Sequence, residues 1–424
     1  MRGAGECCNR FRGFPRHNLM NRRAKFTVVL SSTFLVALLL LGGVVSKGAG
    51  ASDASDTTDV LKHLKVYTQV LDYISTEYVE EPNIPNVTLG ALNGLLESID
   101  PYASYLNATQ YKDYLKSSDA YRADLGMVLA KKYGYIVVVS VVPGSPADKA
   151  GLTTNDYIES IKGVGSRDMP LEYAKLLLRG DPGTTVDISV LRRKPQPEKL
   201  TLTRVIVTNP PVEFRMLPDS LGYIKAATLG TGKVKEVATA ALDLQKQGAK
   251  KIILDLRFCA TGDPENGAEL ANLFLGKGLI TYAQGQKFPR KDYTADEKKV
   301  ISTLPLVVVT NRGTAAAAEI AASGLQSSKR AAIVGERTYG DASVLRPITM
   351  DDGGAVILSV AKYYSADGKS IQDNGVTPET IAIDPDGASG DPEEDDAVPA
   401  PSATRKPAED VILKKAIEIA RARA

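Results

Sequence analysis

The tightest constraint on how this chain folds lies between Ser220 and Tyr364, where short apolar runs alternate with helical patterns. Residues 220–226 read as a strand and 234–247 as a helix. Residues 251–257 then give a strand and 265–275 a helix. The stretches 304–309, 316–326, 331–335 and 355–364 continue as strand, helix, strand and strand. Strands alternating with helices of roughly 10–15 residues imply an α/β layer. Inside it, the apolar run from Leu304 to Val309 ends abruptly and opens through Asn311-Arg-Gly-Thr-Ala-Ala-Ala-Ala-Glu-Ile320 into a segment of high helix propensity. A strand, a tight turn and a helix start is where folds often set a nucleophile beside free backbone N–H groups. Here the turn and helix entry carry only methyl groups. A second element, Gly335-Glu-Arg-Thr-Tyr-Gly-Asp-Ala-Ser-Val-Leu345, follows.

A chain of 424 residues, 43% hydrophobic, has room for two or three domains with real cores. Lysine and arginine total 52 against 50 acids, a net charge of +2. That balance excludes a dedicated nucleic-acid binder, which shows a clustered basic excess. The cysteines are Cys7, Cys8 and Cys259 and the histidines His17 and His63, with no zinc-type spacing, so neither metal nor cofactor is expected. From Phe26 to Val45 no charged residue occurs, while Arg2, Arg10, Arg12, Arg16, Arg22, Arg23 and Lys25 precede that run. About twenty apolar residues behind a basic flank predict a single-pass anchor with the N-terminus inside, the bulk of the chain lying in the periplasm or otherwise outside the cytoplasm. Ala49-Gly-Ala51 also fits a cleavage site, and Met20 opens a typical signal n-region, so export after cleavage stays open. On either reading no disulfide joins Cys259 to Cys7 or Cys8.

Residues 1–25 are thus a basic cytoplasmic segment, 26–45 the anchor or signal, and 46–58 a small polar linker. Val60, Leu64, Tyr67, Leu71, Ile74 and Tyr78 recur at helical spacing, and a second helical stretch, 89–99, stops before Pro101. Together they form a helical N-terminal unit, 59–118. Residues 119–207 differ. A β-branched run at 135–142 is closed by Pro143-Gly-Ser-Pro146. A short helix ends at Gly151, a strand and turn occupy 155–163, a helix spans 171–178, and a last strand 186–191. This order resembles a PDZ domain in the circularly permuted form of exported bacterial proteases. The resemblance implies that a short loop before a strand, Leu125-Gly126-Met127-Val128, presents backbone N–H groups to a peptide carboxylate while the peptide adds a strand. A strand-rich module without a ligand is the alternative. Residues 208–384 are the α/β core, 385–408 an acidic, proline-rich linker and 409–424 a C-terminal helix, acids first and bases last.

From residue 59 to 384 the chain resembles the carboxy-terminal processing, or tail-specific, serine peptidases. The motifs are Ile99-Asp-Pro-Tyr-Ala-Ser-Tyr-Leu106, the PDZ module, Gly222-Tyr-Ile-Lys, Ile253-Leu-Asp-Leu-Arg257, Gly335-Glu-Arg-Thr-Tyr-Gly340 and Tyr363-Tyr-Ser-Ala-Asp-Gly-Lys-Ser-Ile371. The resemblance implies a peptidase-type αβ core with an inserted PDZ domain and a helical N-terminal unit, preceded by one transmembrane or signal helix. It also implies a Ser–Lys dyad, in which serine attacks the peptide carbonyl and a neutral lysine takes its proton. The serine pattern reads Gly313-Thr-Ala-Ala-Ala-Ala-Glu319, so Ala316 stands where the nucleophile would. Asp341 stands at the lysine position, Leu345 at that of a supporting glutamine, and Cys259, Ala260, Thr261 and Gly262 replace the Asn-Pro-Gly-Gly of the oxyanion turn. Losing one oxyanion donor alone costs ~10²–10³ in rate, and a methyl group cannot attack a carbonyl.

Other residues offer little rescue. Cys259 beside the cleft wants a base, and His63 lies in the N-terminal unit. Ser323 and Ser343 read as ordinary helix and loop serines; Asp100, Asp255 and Glu319 could supply an acid pair, but Asp255 and Glu319 read as structural, and Asp351-Asp352 as a hairpin turn rather than a metal site. The expected function is a membrane-anchored pseudopeptidase that binds polypeptide C-termini with an apolar last residue, as a scaffold or regulator of envelope proteolysis beside an active peptidase, or as a holder of envelope proteins. The alternatives are an active endopeptidase with a non-standard site and an assembly module, oligomeric through its helical ends, whose PDZ groove is closed.

Overall fold

The computed structural model describes residues 51–117, 123–167, 169–192, 196–383 and 410–423. The segment 26–45, Cys7, Cys8, His17 and the linker 385–408 lie outside them. Among the described residues no helix is long and apolar enough to cross a membrane. The chain divides into two compact units, Met1–Pro85 and Asn86–Ala424. In the first, α1 (Ala51–Glu77) runs for 27 residues. It therefore takes in most of the stretch 46–58 expected as a linker, because no glycine or proline interrupts the sequence from Ala51 to Glu77.

The second unit holds three sheets. α2 (Ile84–Glu97) stops ahead of Asp100-Pro101, and β1 (Ser104–Leu106) follows at once. The expected helical unit therefore does not stand apart at its C-terminal end: β1 pairs antiparallel with β16 (Ala355–Ser365). After α3 (Ala108–Ser117) comes the small antiparallel sheet in the order β2-β3-β4-β6-β7. Its strands are β2 (Met127–Lys132), β3 (Tyr135–Val141), β4 (Tyr157–Ile161), β6 (Thr185–Leu191) and β7 (Glu198–Thr203), with β5 (Val164–Gly165) on β4. The turn helix α4 (Pro146–Lys149) is capped by Ser145, and α5 (Leu171–Leu178) packs beside β2, which is an edge strand. Pro143-Gly-Ser-Pro146 closes β3 as expected, proline favouring the first turn of the following helix.

The peptidase-type core is a six-stranded sheet ordered β17-β14-β13-β10-β9-β8. Here β9 (Leu221–Lys225), β10 (Lys251–Asp255), β13 (Leu306–Thr310), β14 (Ala331–Gly335) and β17 (Thr380–Ile381) are parallel, and β8 (Glu213–Leu217) is antiparallel at one edge. Strands buried on both faces read as continuous apolar runs, and β13 is buried throughout. Alternate residues face opposite layers. Ile252, Leu254, Leu306, Val308 and Ile333 pack with α6 (Lys233–Lys246), α7 (Pro264–Asn272) and α8 (Ala317–Ser327). Tyr223, Ile253, Val307, Val309 and Val334 pack with Ile412, Ala416 and Ala420 of α9 (Val411–Ala422).

A third sheet, β1-β16-β11-β12 with β15 (Ser343–Thr349) on β16, covers the far side of α8. Its β11 (Leu279–Gln284) and β12 (Lys291–Thr294) were not foreseen from the sequence. The turn at Asp351-Asp352 joins β15 to β16 as a hairpin. Sandwiched between two sheets, α8 is buried from Ala317 to Leu325, which is why that helix is built of small residues. A Cβ at Gly267 of α7 would sit 2.2 Å from the Ala317 carbonyl oxygen, so glycine is what lets α7 cross the entry of α8 this closely.

Candidate active site

The site forms where β10 and β13 end side by side. After β13 the chain turns through Asn311, whose side-chain oxygen accepts the N–H of Gly313 (3.1 Å) and of Phe258 (2.9 Å). The Thr314 hydroxyl donates to the Leu256 carbonyl (2.8 Å) and accepts the Asn311 N–H (3.0 Å). The Ala315 N–H donates to the Cys259 carbonyl (2.9 Å). This web fixes the turn after β13 against the turn after β10. At its apex Ala316 has φ 52° and ψ −123°, a backbone state that non-glycine residues avoid and that clusters at functional sites. The bend expected to carry a nucleophile is therefore present, and it carries a methyl group.

Glu319, fully buried one turn into α8, ties this entry to the loop after β14. One carboxyl oxygen accepts the Gly340 N–H (2.6 Å) and the Thr338 hydroxyl. The other accepts the N–H of Asp341 (2.8 Å) and of Ala316 (3.1 Å). Burial pushes its carboxyl up to about 8, against the pull of those donors. Glu319 thus does structural work, as expected. So does Asp255, which accepts the Tyr223 hydroxyl (2.8 Å) and the Arg257 guanidinium (2.6 Å); Arg257 also pairs with Asp410 at the cap of α9 (2.8 Å).

Asp341 is half-buried in that loop, and burial pushes its carboxyl up to about 6; Lys175 opposes the shift, while Asp100, Glu172 and Asp373 add to it. Tyr102 and Tyr339 stand close enough for their hydroxyls, raised chiefly by burial, to feel Asp341 and Glu319. Leu345, in β15, packs on the apolar core of the small sheet, as does Tyr339, so the position of the supporting glutamine is an apolar contact. In the oxyanion turn Cys259 and Ala260 are buried, and Gly262 has φ 113° with the Leu229 carbonyl oxygen 2.4 Å from where a Cβ would lie. The buried Thr261 hydroxyl has no hydrogen-bond partner among the described residues. Burial holds the Cys259 thiol up at about 12, so it is neither a thiolate nor exposed. Ser323 is buried inside α8, Ser343 accepts the Ser359 hydroxyl (3.0 Å), and His63 belongs to the unit Met1–Pro85. Among the described residues no cluster of His, Cys, Asp and Glu can hold a metal ion.

A cleft of about 350 Å³ joins the small sheet to this region. The edge strand contributes Met127, Val128 and Leu129, with Gly126 just before it, and α5 contributes Lys175 and Leu178, with Arg179 at its C-cap. Thr261 of the oxyanion turn and Asp341 complete it, with Asp124, Val142, Val207 and Asn209. Of the residues singled out in the sequence, Gly126, Met127, Val128, Thr261 and Asp341 meet here. Leu125 does not: its side chain is fully buried in the core of the small sheet and its N–H is held by the Asp124 carboxylate. Met127 and Val128 belong to β2 itself rather than to a preceding loop. Ala316, Leu345, Cys259, Ala260 and Gly262 also lie outside the cleft lining. Lys175 and Asn209 escaped the sequence reading. The i, i+3 pair Glu172–Lys175 on a helix beside the edge strand was the available signal for Lys175.

Comparison with known proteins places these observations. Residues 220–382 match peptidase family S41 and residues 137–192 match a PDZ domain. The carboxy-terminal processing protease CtpA of Bacillus subtilis is 32% identical over 368 residues, spanning 87% of this chain and 79% of that one. The carboxy-terminal-processing protease of Bartonella bacilliformis is 29% identical over 360 residues, spanning 83% and 82%. Among solved structures, a photosystem II D1 C-terminal processing protease superposes with a TM-score of 0.63 at 27% identity, over 75% of this chain and 86% of that one.

Proposed function

Because the chain belongs to the carboxy-terminal processing proteases of peptidase family S41, with alanine where the resemblance sets their serine, we propose that it binds polypeptide C-termini without cleaving them. The observation that carries this reading is the shared cleft, whose wall runs from the free edge of β2 to Thr261 and Asp341. An extended peptide adds to an exposed strand edge by main-chain hydrogen bonds, and backbone N–H groups near Gly126 receive its terminal carboxylate. Met127, Val128, Val142 and Leu178 offer the last side chain an apolar wall. The peptide then leads toward Thr261 and Asp341, and Ala316, tied to Asp341 through Glu319, has no group to attack it. Cys259 is no substitute, since its thiol is buried and protonated.

In this role the protein is a scaffold or regulator of envelope proteolysis, held at the membrane through the segment from Phe26 to Val45 and acting on envelope proteins or beside an active peptidase. The test uses the purified full chain and peptides with a free apolar C-terminal residue. Binding measured by fluorescence anisotropy, with no fragments by mass spectrometry, is the expected result. Cleavage that persists through repurification would sink the proposal in favour of an active endopeptidase, and absence of carboxylate-dependent binding would favour an assembly module with a closed groove. Ala316→Ser alone stays inactive for want of a base. Ala316→Ser combined with Asp341→Lys and Leu345→Gln supplies nucleophile, base and helper on the retained backbone, and slow hydrolysis is expected of it.

A further inference from the structure

The charges lining the cleft are unevenly matched. On α5, Lys175 pairs with Glu172 at 2.7 Å, and Arg179 at its C-cap lies 3.5 Å from Asp124. Two further acids act on Asp341: Asp373 pairs with Lys362 at 2.8 Å, and Asp100 accepts the Tyr102 N–H at 2.9 Å through one oxygen while its other, buried oxygen has no partner among the described residues. Asp341 differs. Its backbone N–H is committed to Glu319, while no donor among the described residues reaches its carboxylate. Among the described residues of the wall it is the charged side chain without a hydrogen bond or ion pair, half-buried near Asp100, Glu172 and Asp373, with Lys175 the cation that acts on it from α5. A charge so placed is costly until a partner arrives.

We propose that Asp341 is a specificity residue that selects C-terminal peptides bearing a lysine or arginine side chain upstream of the apolar last residue. The inference rests on C-termini entering this cleft and names which of them bind best. The edge of β2 holds the terminal carboxylate and the apolar side chain while the chain continues along the wall. A cationic side chain reaching Asp341 forms a charge-assisted hydrogen bond to it. A metal ion is a poorer occupant, because no three ligating side chains converge there among the described residues.

The experiment measures anisotropy of labelled peptides on the full chain at neutral pH and low salt. One series walks lysine through the positions upstream of a C-terminal valine; matched series carry glutamine or glutamate. Lysine at one or two positions is expected to bind about tenfold tighter than glutamine there, and glutamate weaker still. Asp341→Asn should abolish the lysine advantage, and Asp341→Lys should invert it toward glutamate. Circular dichroism of both variants confirms that they are folded. Equal binding of all three series, with amidated peptides failing to bind, overturns the specificity and spares the C-terminus reading. A lysine advantage that persists in Asp341→Asn also overturns it. Peptides that bind equally well when amidated, or not at all, overturn both.

Discussion

At Glu319 the helix entry and the loop after β14 share one carboxyl, so this residue decides whether Ala316 and Asp341 keep their relative places. Glu319→Gln replaces an acceptor oxygen by an amide that must face two donors inside the core. A loss of about 2–4 kcal/mol is expected, measured by urea denaturation. Asp341 behaves oppositely. Its carboxyl titrates near 6 in the folded chain, above the ordinary aspartate value, so the folded state holds its proton longer than the unfolded one. The penalty is absent below about pH 4, grows between about pH 4 and 6, and is complete above that range. Asp341→Asn should therefore stabilise the protein by about 1–3 kcal/mol near pH 8 and leave stability unchanged at pH 4. Equal gains in thermal midpoint at both pH values would show that charge is not the cause. The neighbours entering this balance are Asp100, Glu172, Lys175 and Asp373.

Among the elements, α9 closes a face of the core sheet that α6, α7 and α8 leave open. It buries Ile412, Ala416 and Ala420 and is latched at one end by Asp410 on Arg257 and at the other by Lys251, which donates to the carbonyls of Arg421 and Arg423. Ending the chain after residue 409 should cost about 3–5 kcal/mol and expose Tyr223, Ile253, Val307 and Val334, with binding of a hydrophobic dye as the readout. Much of this architecture could be read from the sequence. The helix 171–178 and the strand 331–335 were placed to the residue, because apolar periodicity and flanking Gly or Pro agreed there. β8, β11, β12 and β15 were not, since short strands interleaved with polar residues lack a continuous apolar run, whether at an edge like β8 and β12 or inside a sheet like β11. The positions of Ala316 and Asp341 were legible from motif spacing. That Asp341 lines a cleft with Met127 while Ala316 does not depends on three elements converging, and local pattern carries no such information.

At the scale of the whole molecule, the PDZ-type sheet and the peptidase-type core lie in one compact unit, Asn86–Ala424, and share a cleft, so a ligand on β2 is also a ligand of the core. The proposed anchor adds a surface constraint, and high-pH carbonate extraction tests it: the full chain should stay with the membrane pellet, and its release into the supernatant would contradict the anchor. The bend at Ala316 has a further consequence. A backbone state this sparsely populated costs an L-residue about 1–3 kcal/mol, and here no reactive side chain makes use of it. The turn therefore holds a latent reserve of stability: Ala316→Gly releases it, Ala316→Ser inherits it, and neither change touches the backbone N–H that Glu319 holds.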